Sequence, residues 1–126
     1  MIKNYFKNIK YSIKNLYKWF FIIWNDRDWD HIYIEIILHK KLVNTYNFLL
    51  SKDAVTNWQV PEQAKSLRAL KLCIVILERR NNNFYLNNLY SSDLTQDEFE
   101  SIQKIEIRDG QLLGKLLGKY LSYWWD

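Results

Sequence analysis

Apolar residues in the first part of the chain fall at Ile2, Tyr5, Phe6, Ile9, Ile13, Leu16, Tyr17 and Phe20. Such spacing, mostly three and four residues, returns to one side of an α-helix, so a helix is predicted over about 2–24. Lys3, Lys7, Lys10, Lys14 and Lys18 repeat at the same interval and form a second stripe. The helix is therefore amphipathic, with a lysine face. The segment Trp24-Asn25-Asp26-Arg27-Asp28-Trp29-Asp30 then breaks the pattern. Asp26 or Asp28 is suited to cap a new helix, because a carboxylate accepts from its free N–H groups.

The second helix is predicted over about 28–50. It is apolar on more than half its surface, through Trp29, Ile32, Tyr33, Ile37, Leu38, Leu42, Tyr46 and Leu49 among others, and is expected to be central. Ile34 and Ile36 are β-branched and make a strand locally conceivable, but the length of the segment argues for a helix. Residues 51–59 read as a loop. Pro61 suits the first turn of a third helix running to about Arg80, which Asn81-Asn82-Asn83 stops. The stretch 84–93 is ambiguous; Phe84, Tyr85, Leu86, Leu89 and Tyr90 can form a short helix. Thr95-Gln96-Asp97-Glu98 is a capping box, in which the Thr hydroxyl and the Glu side chain satisfy each other's backbone donors. It opens a final helix over about 95–123 that is open to a break near Asp109-Gly110. The pattern as a whole predicts an all-α fold: one domain spanning 1–126, a compact bundle of about four helices, expected to be oligomeric.

Composition agrees. A single proline and three glycines among 126 residues leave little turn punctuation, which favours a few long helices over many short strands. The hydrophobic share of 48% excludes a disordered chain. The lone cysteine, Cys73, lies in the apolar run Leu72-Cys73-Ile74-Val75-Ile76-Leu77; it cannot form an internal disulfide and reads as a small hydrophobe. A reducing, cytoplasmic location is expected. The uncharged run Trp19–Trp24 is far shorter than the roughly 20 residues of a spanning helix, so no transmembrane segment is predicted. No small-residue cleavage site follows it, so it does not read as a signal peptide. The net charge of +4 is concentrated: the first 24 residues carry five lysines and no acid, whereas the remainder carries thirteen basic against fourteen acidic residues.

Four features bear on function. Gly110, Gly114 and Gly118 share one face of the last helix, and each costs up to about 1 kcal/mol relative to alanine. Their spacing points to close packing against another backbone, within the chain or across a dimer, or to a ligand groove. Arg27, set among three aspartates and between Trp24 and Trp29, either pairs locally at a helix corner or grips an anionic ligand on which the indoles stack. Arg79 and Arg80 either complement the end of the third helix or clamp a phosphate. The lysine face is either solvated or meets nucleic acid or anionic lipid. His31, Glu35 and His39 share a helix face, but without a matching group on another helix they make no metal site, and no cofactor is expected. Gly-rich phosphate loops, nucleophile elbows and zinc spacings are absent, which favours a non-enzyme.

The stretch Trp24–Asp30, with Tyr33 and the run from Leu38 to Leu42, resembles a family of small phage proteins of undefined role, and Trp124-Trp125-Asp126 resembles their common ending. The resemblance covers about a quarter of the chain. It implies a phage accessory protein acting in the cytoplasm of a bacterial host, and it brings no catalytic residue with it. Small helical phage proteins often counter host defences, some by sequestering nucleotide signals. The leading expectation is therefore a counter-defence protein that binds a small anionic nucleotide-like ligand through Trp24, Arg27, Trp29, Tyr33, Arg79, Arg80, Trp124 and Trp125. The alternatives are inhibition of a host protein, and binding of nucleic acid or a membrane surface through the basic first helix.

Overall fold

A computed structural model describes residues 2–27, 31–51, 60–89 and 94–124. Five α-helices follow one another, α1 (Ile2–Asn25), α2 (Ile32–Leu49), α3 (Pro61–Asn81), α4 (Phe84–Leu89) and α5 (Gln96–Tyr120), and a 3-10 turn at Leu121–Tyr123 ends the series. Four are long, α4 spans only six residues, and no strand occurs among the described residues, so the fold is an all-α bundle.

The central helix is α3, not α2 as the apolar count predicted. Ser66, Ala69, Leu70, Cys73, Ile76 and Leu77 are buried on α3, and their steps of one and three residues trace one stripe. On α2 only Leu42 and Leu49 are buried, while Ile32, Ile34 and Phe48 stay exposed. An abundance of apolar residues made α2 look central. The narrower stripe of α3, built partly of small side chains, is the one that lets neighbours approach from two sides. α3 packs against α2 on one side and α5 on the other, and α4 closes over α3 and α5. Leu113 of α5 and Trp124 complete the core. The Trp124 indole N–H donates to the Ser66 carbonyl at 2.9 Å, tying the end of the chain to the first half of α3.

Local signals explain most helix ends. Pro61 opens α3 as its first residue. α3 stops where Asn83 takes a left-handed backbone, φ 53°, which asparagine tolerates better than most residues. At Thr95 the capping box forms in full: the Glu98 amide donates to the Thr95 hydroxyl at 3.3 Å, and the Thr95 amide donates to the Glu98 carboxylate at 2.8 Å. Donation to the carboxylate, from the Thr95 amide first and then from the Thr95 hydroxyl at 2.9 Å, holds the Glu98 carboxyl below its usual range. One expectation fails and one open point closes. The α2 N-cap is His31, with no side-chain cap bond, rather than Asp26; Asp28 lies outside the described residues. α5 also runs unbroken through Asp109-Gly110, because the Asp109 side chain is drawn into the bundle instead of turning back on its own backbone.

α3 begins without a side-chain cap, at Val60, whose backbone is extended as an N-cap requires. The Val60 side chain is exposed, so little burial is lost by changing it. Val60→Ser is expected to stabilise the protein by about 1 kcal/mol, read as a rise in the urea midpoint at constant slope.

Candidate functional site

The described ones among the predicted site residues are distributed over several helices. Trp24 ends α1, exposed and stacked on Phe20 with ring centroids 5.5 Å apart. Arg27 is exposed and donates to the neighbouring Asp26 carbonyl at 3.0 Å. Tyr33 is half-buried on α2. Trp124 is in the core. Trp29 and Trp125 lie outside the described residues.

Arg79 and Arg80 are engaged by carboxylates. The Arg80 guanidinium donates through two nitrogens to both oxygens of Glu35, each at 2.8 Å, joining α3 to α2. These hydrogen bonds hold Arg80 protonated, above its ordinary range. They also account for Glu35, which the sequence placed between two histidines. Arg79 donates to Asp109 at 3.3 Å and lies over the Phe84 ring, 6.0 Å from its centroid. Asp109 is buried, and the Tyr85 hydroxyl donates to the same carboxylate oxygen at 2.5 Å. Burial, with the Asp109 carboxylate as acceptor, pushes the Tyr85 phenol above its ordinary value. This Arg79–Asp109–Tyr85 cluster went unseen in the sequence, where Asp109 beside Gly110 reads as a turn. Burial likewise pushes the Cys73 thiol up to about 11, so it is an unreactive core side chain at neutral pH.

The glycines divide. A Cβ on Gly110 would stand 3.5 Å from Arg80 Nη1, in ordinary contact, whereas Gly114 and Gly118 meet nothing within 4 Å among the described residues. An open groove of about 220 Å³ lies between Glu62 and Lys65 of α3 and Lys119, Tyr120 and Tyr123 at the end of the chain. None of the described ones among the predicted ligand-binding residues lines it.

Among the described residues, α1 carries a long run of exposed side chains. Among its residues 4–25 only Trp19 and Ile22 are half-buried; every other side chain is exposed. Phe6, Ile13, Leu16 and Trp24 are each more than three-fifths exposed, and Tyr5, Tyr17, Phe20 and Ile23 are exposed beside them. At 100° per residue these positions share one stripe, centred on Ile9, Ile13 and Phe20. Lys7, Lys10, Lys14 and Lys18 form a flank about 120° round the helix from the stripe's centre. Trp19 and Ile22 occupy a third side, and the helix meets α2. Among the described residues, both the apolar stripe and the lysine flank are thus exposed. No described helix is long and apolar enough to cross a membrane. No protein-family model matches the chain, and neither a curated protein nor a solved structure was found similar to it.

Proposed function

We propose that this protein is a binding protein whose docking element is α1, and that its partner presents a surface both apolar and anionic. The observation behind this reading is the 24-residue amphipathic helix whose apolar stripe and lysine flank are turned away from its own bundle. An apolar strip of this length, left in water by the rest of the described residues, is the kind of surface that marks an interaction site. The sequestering of a nucleotide-like ligand, expected from the sequence, has less support. Its two paired arginines already hold carboxylates, and its described tryptophans sit at opposite roles, one on the surface and one in the core. In the phage setting implied by the resemblance, the bundle would be cargo that α1 delivers to a host surface.

Ile13→Glu with Leu16→Glu places two charges in the stripe at exposed positions, where the fold loses almost nothing. In fractionated host cells the native protein is expected to sediment with a macromolecular or membrane fraction. The double variant, equally stable by thermal melting, is expected in the supernatant. Identical distribution of the two proteins would end the proposal.

A further inference from the structure

The proposal that α1 docks leaves its partner unnamed, and the inference drawn here rests on that reading. The geometry points to an anionic lipid bilayer: we infer that α1 lies in the plane of the membrane surface, its stripe among the acyl chains and its lysines among the phosphates.

Three features of α1 select this partner. The first is charge. Every charged residue of α1 is a lysine, and Lys7, Lys10, Lys14 and Lys18 border one side of the stripe. A second copy docked stripe to stripe would bring ten lysines together with no carboxylate on either helix. At the spacing of packed helices such charges repel within a Debye length. An anionic bilayer reverses the sign of that term, and each lysine near the surface adds on the order of fivefold in affinity. The second feature is the stripe itself. Nucleic acid would satisfy the lysines but leave Phe6, Ile9, Ile13, Leu16 and Phe20 in water, whereas a bilayer takes both faces. The third is aromatic content. Tyr5, Tyr17 and Trp24 lie on the stripe or its edge, and their amphipathic rings favour the boundary between headgroups and hydrocarbon. A long helix with a basic polar face and an aromatic and aliphatic opposite face is the recognised form of a helix that lies in that boundary. The lysines, spaced along the helix up to Lys18, oppose a spanning orientation.

The side of α1 that meets the bundle is neither the stripe nor the lysine flank. Immersion of the stripe therefore leaves the bundle on the aqueous side, and nothing in α2–α5 has to unfold or turn for the helix to engage.

The test uses the full-length protein and flotation with phosphatidylcholine vesicles, with or without phosphatidylglycerol. Binding to the anionic vesicles is expected to exceed binding to the neutral ones by at least about tenfold, and to weaken as salt is raised. Ile13→Glu with Leu16→Glu should abolish flotation. Changing all five lysines to glutamine should remove the preference for anionic vesicles. Equal binding to both vesicle types, or none to either, overturns the lipid inference. If the glutamate variant still leaves the sedimenting fraction of cells in that case, α1 docks on a protein and the broader reading stands. Self-association without lipid that the glutamate variant abolishes would assign the stripe to a second copy. Salt-sensitive binding to duplex DNA that the glutamate variant retains would assign the lysines to nucleic acid. Either result overturns the inference.

Discussion

Leu70→Ala is expected to lower the unfolding free energy by about 2–5 kcal/mol, the range for leucine truncation in a packed core. Leu70 is fully buried near the middle of α3, the helix on which α2 and α5 both pack. Removing its branched end opens a cavity between helices that meet there from two sides, so relaxation of one cannot fill it. In a chain of this size the loss corresponds to a fall in melting temperature of roughly 10 °C or more. Leu16→Ala removes the same atoms from α1, where the side chain is 68% exposed, and is expected to change stability by less than about 0.5 kcal/mol. Urea titration of the two variants measures the contrast. If Leu16→Ala cost as much as Leu70→Ala, α1 would be buried in solution and could not serve as a free docking face.

That contrast also marks what could be read from the sequence. Periodicity placed the helices, and it separated the α1 stripe from its lysine flank, because both depend on neighbours within a turn or two. The capping box at Thr95 and the proline at the start of α3 are equally local. What failed was non-local. Arg80 meets Glu35 across 45 residues and Trp124 meets Ser66 across 58, pairings set by how helices lie against each other rather than by spacing along any one of them. Arg79 and Arg80, adjacent in sequence, looked like one clamp. Successive residues on a helix point about 100° apart, so they reach different carboxylates on different helices. Burial of Asp109 was hidden for the same reason: beside glycine it resembles a turn residue, and only the arrival of Tyr85 and Arg79 makes an interior place for it. Trp124, in an aromatic tail, reads from the sequence as a binding residue; in the fold it is buried, and its indole donates to the Ser66 carbonyl of α3.

The Asp109 cluster supplies a second strong prediction, one that is separable by pH. Asp109→Ala removes the acceptor of a buried tyrosine and the partner of Arg79. Arg79 can turn to water, since its side chain is 45% exposed, so the cost falls below that of a fully buried ion pair and is expected at about 2–3 kcal/mol. Tyr85→Phe keeps the ring and removes only the hydroxyl; at neutral pH it is expected to cost about 1.5–3 kcal/mol, the range for a hydrogen bond to a charged group. The phenol is pushed above its ordinary value of 10.0 in the fold, so folding favours its protonated form. That contribution is complete below pH 10 and is lost as pH rises from 10 toward the higher value in the folded protein. The native protein should therefore lose its advantage over Tyr85→Phe in strongly alkaline solution, while the two curves run parallel through neutral pH. Cys73, raised from 9.0 to about 11, weakens both proteins alike over that interval and cancels in the difference. Chemical denaturation as a function of pH measures the gap. A gap that stayed constant into strong alkali would show that Tyr85 is not held by Asp109. A double variant as unstable as the sum of the single losses predicts would separate the two side chains' contributions, whereas a smaller, shared loss is expected because both changes break the same bond.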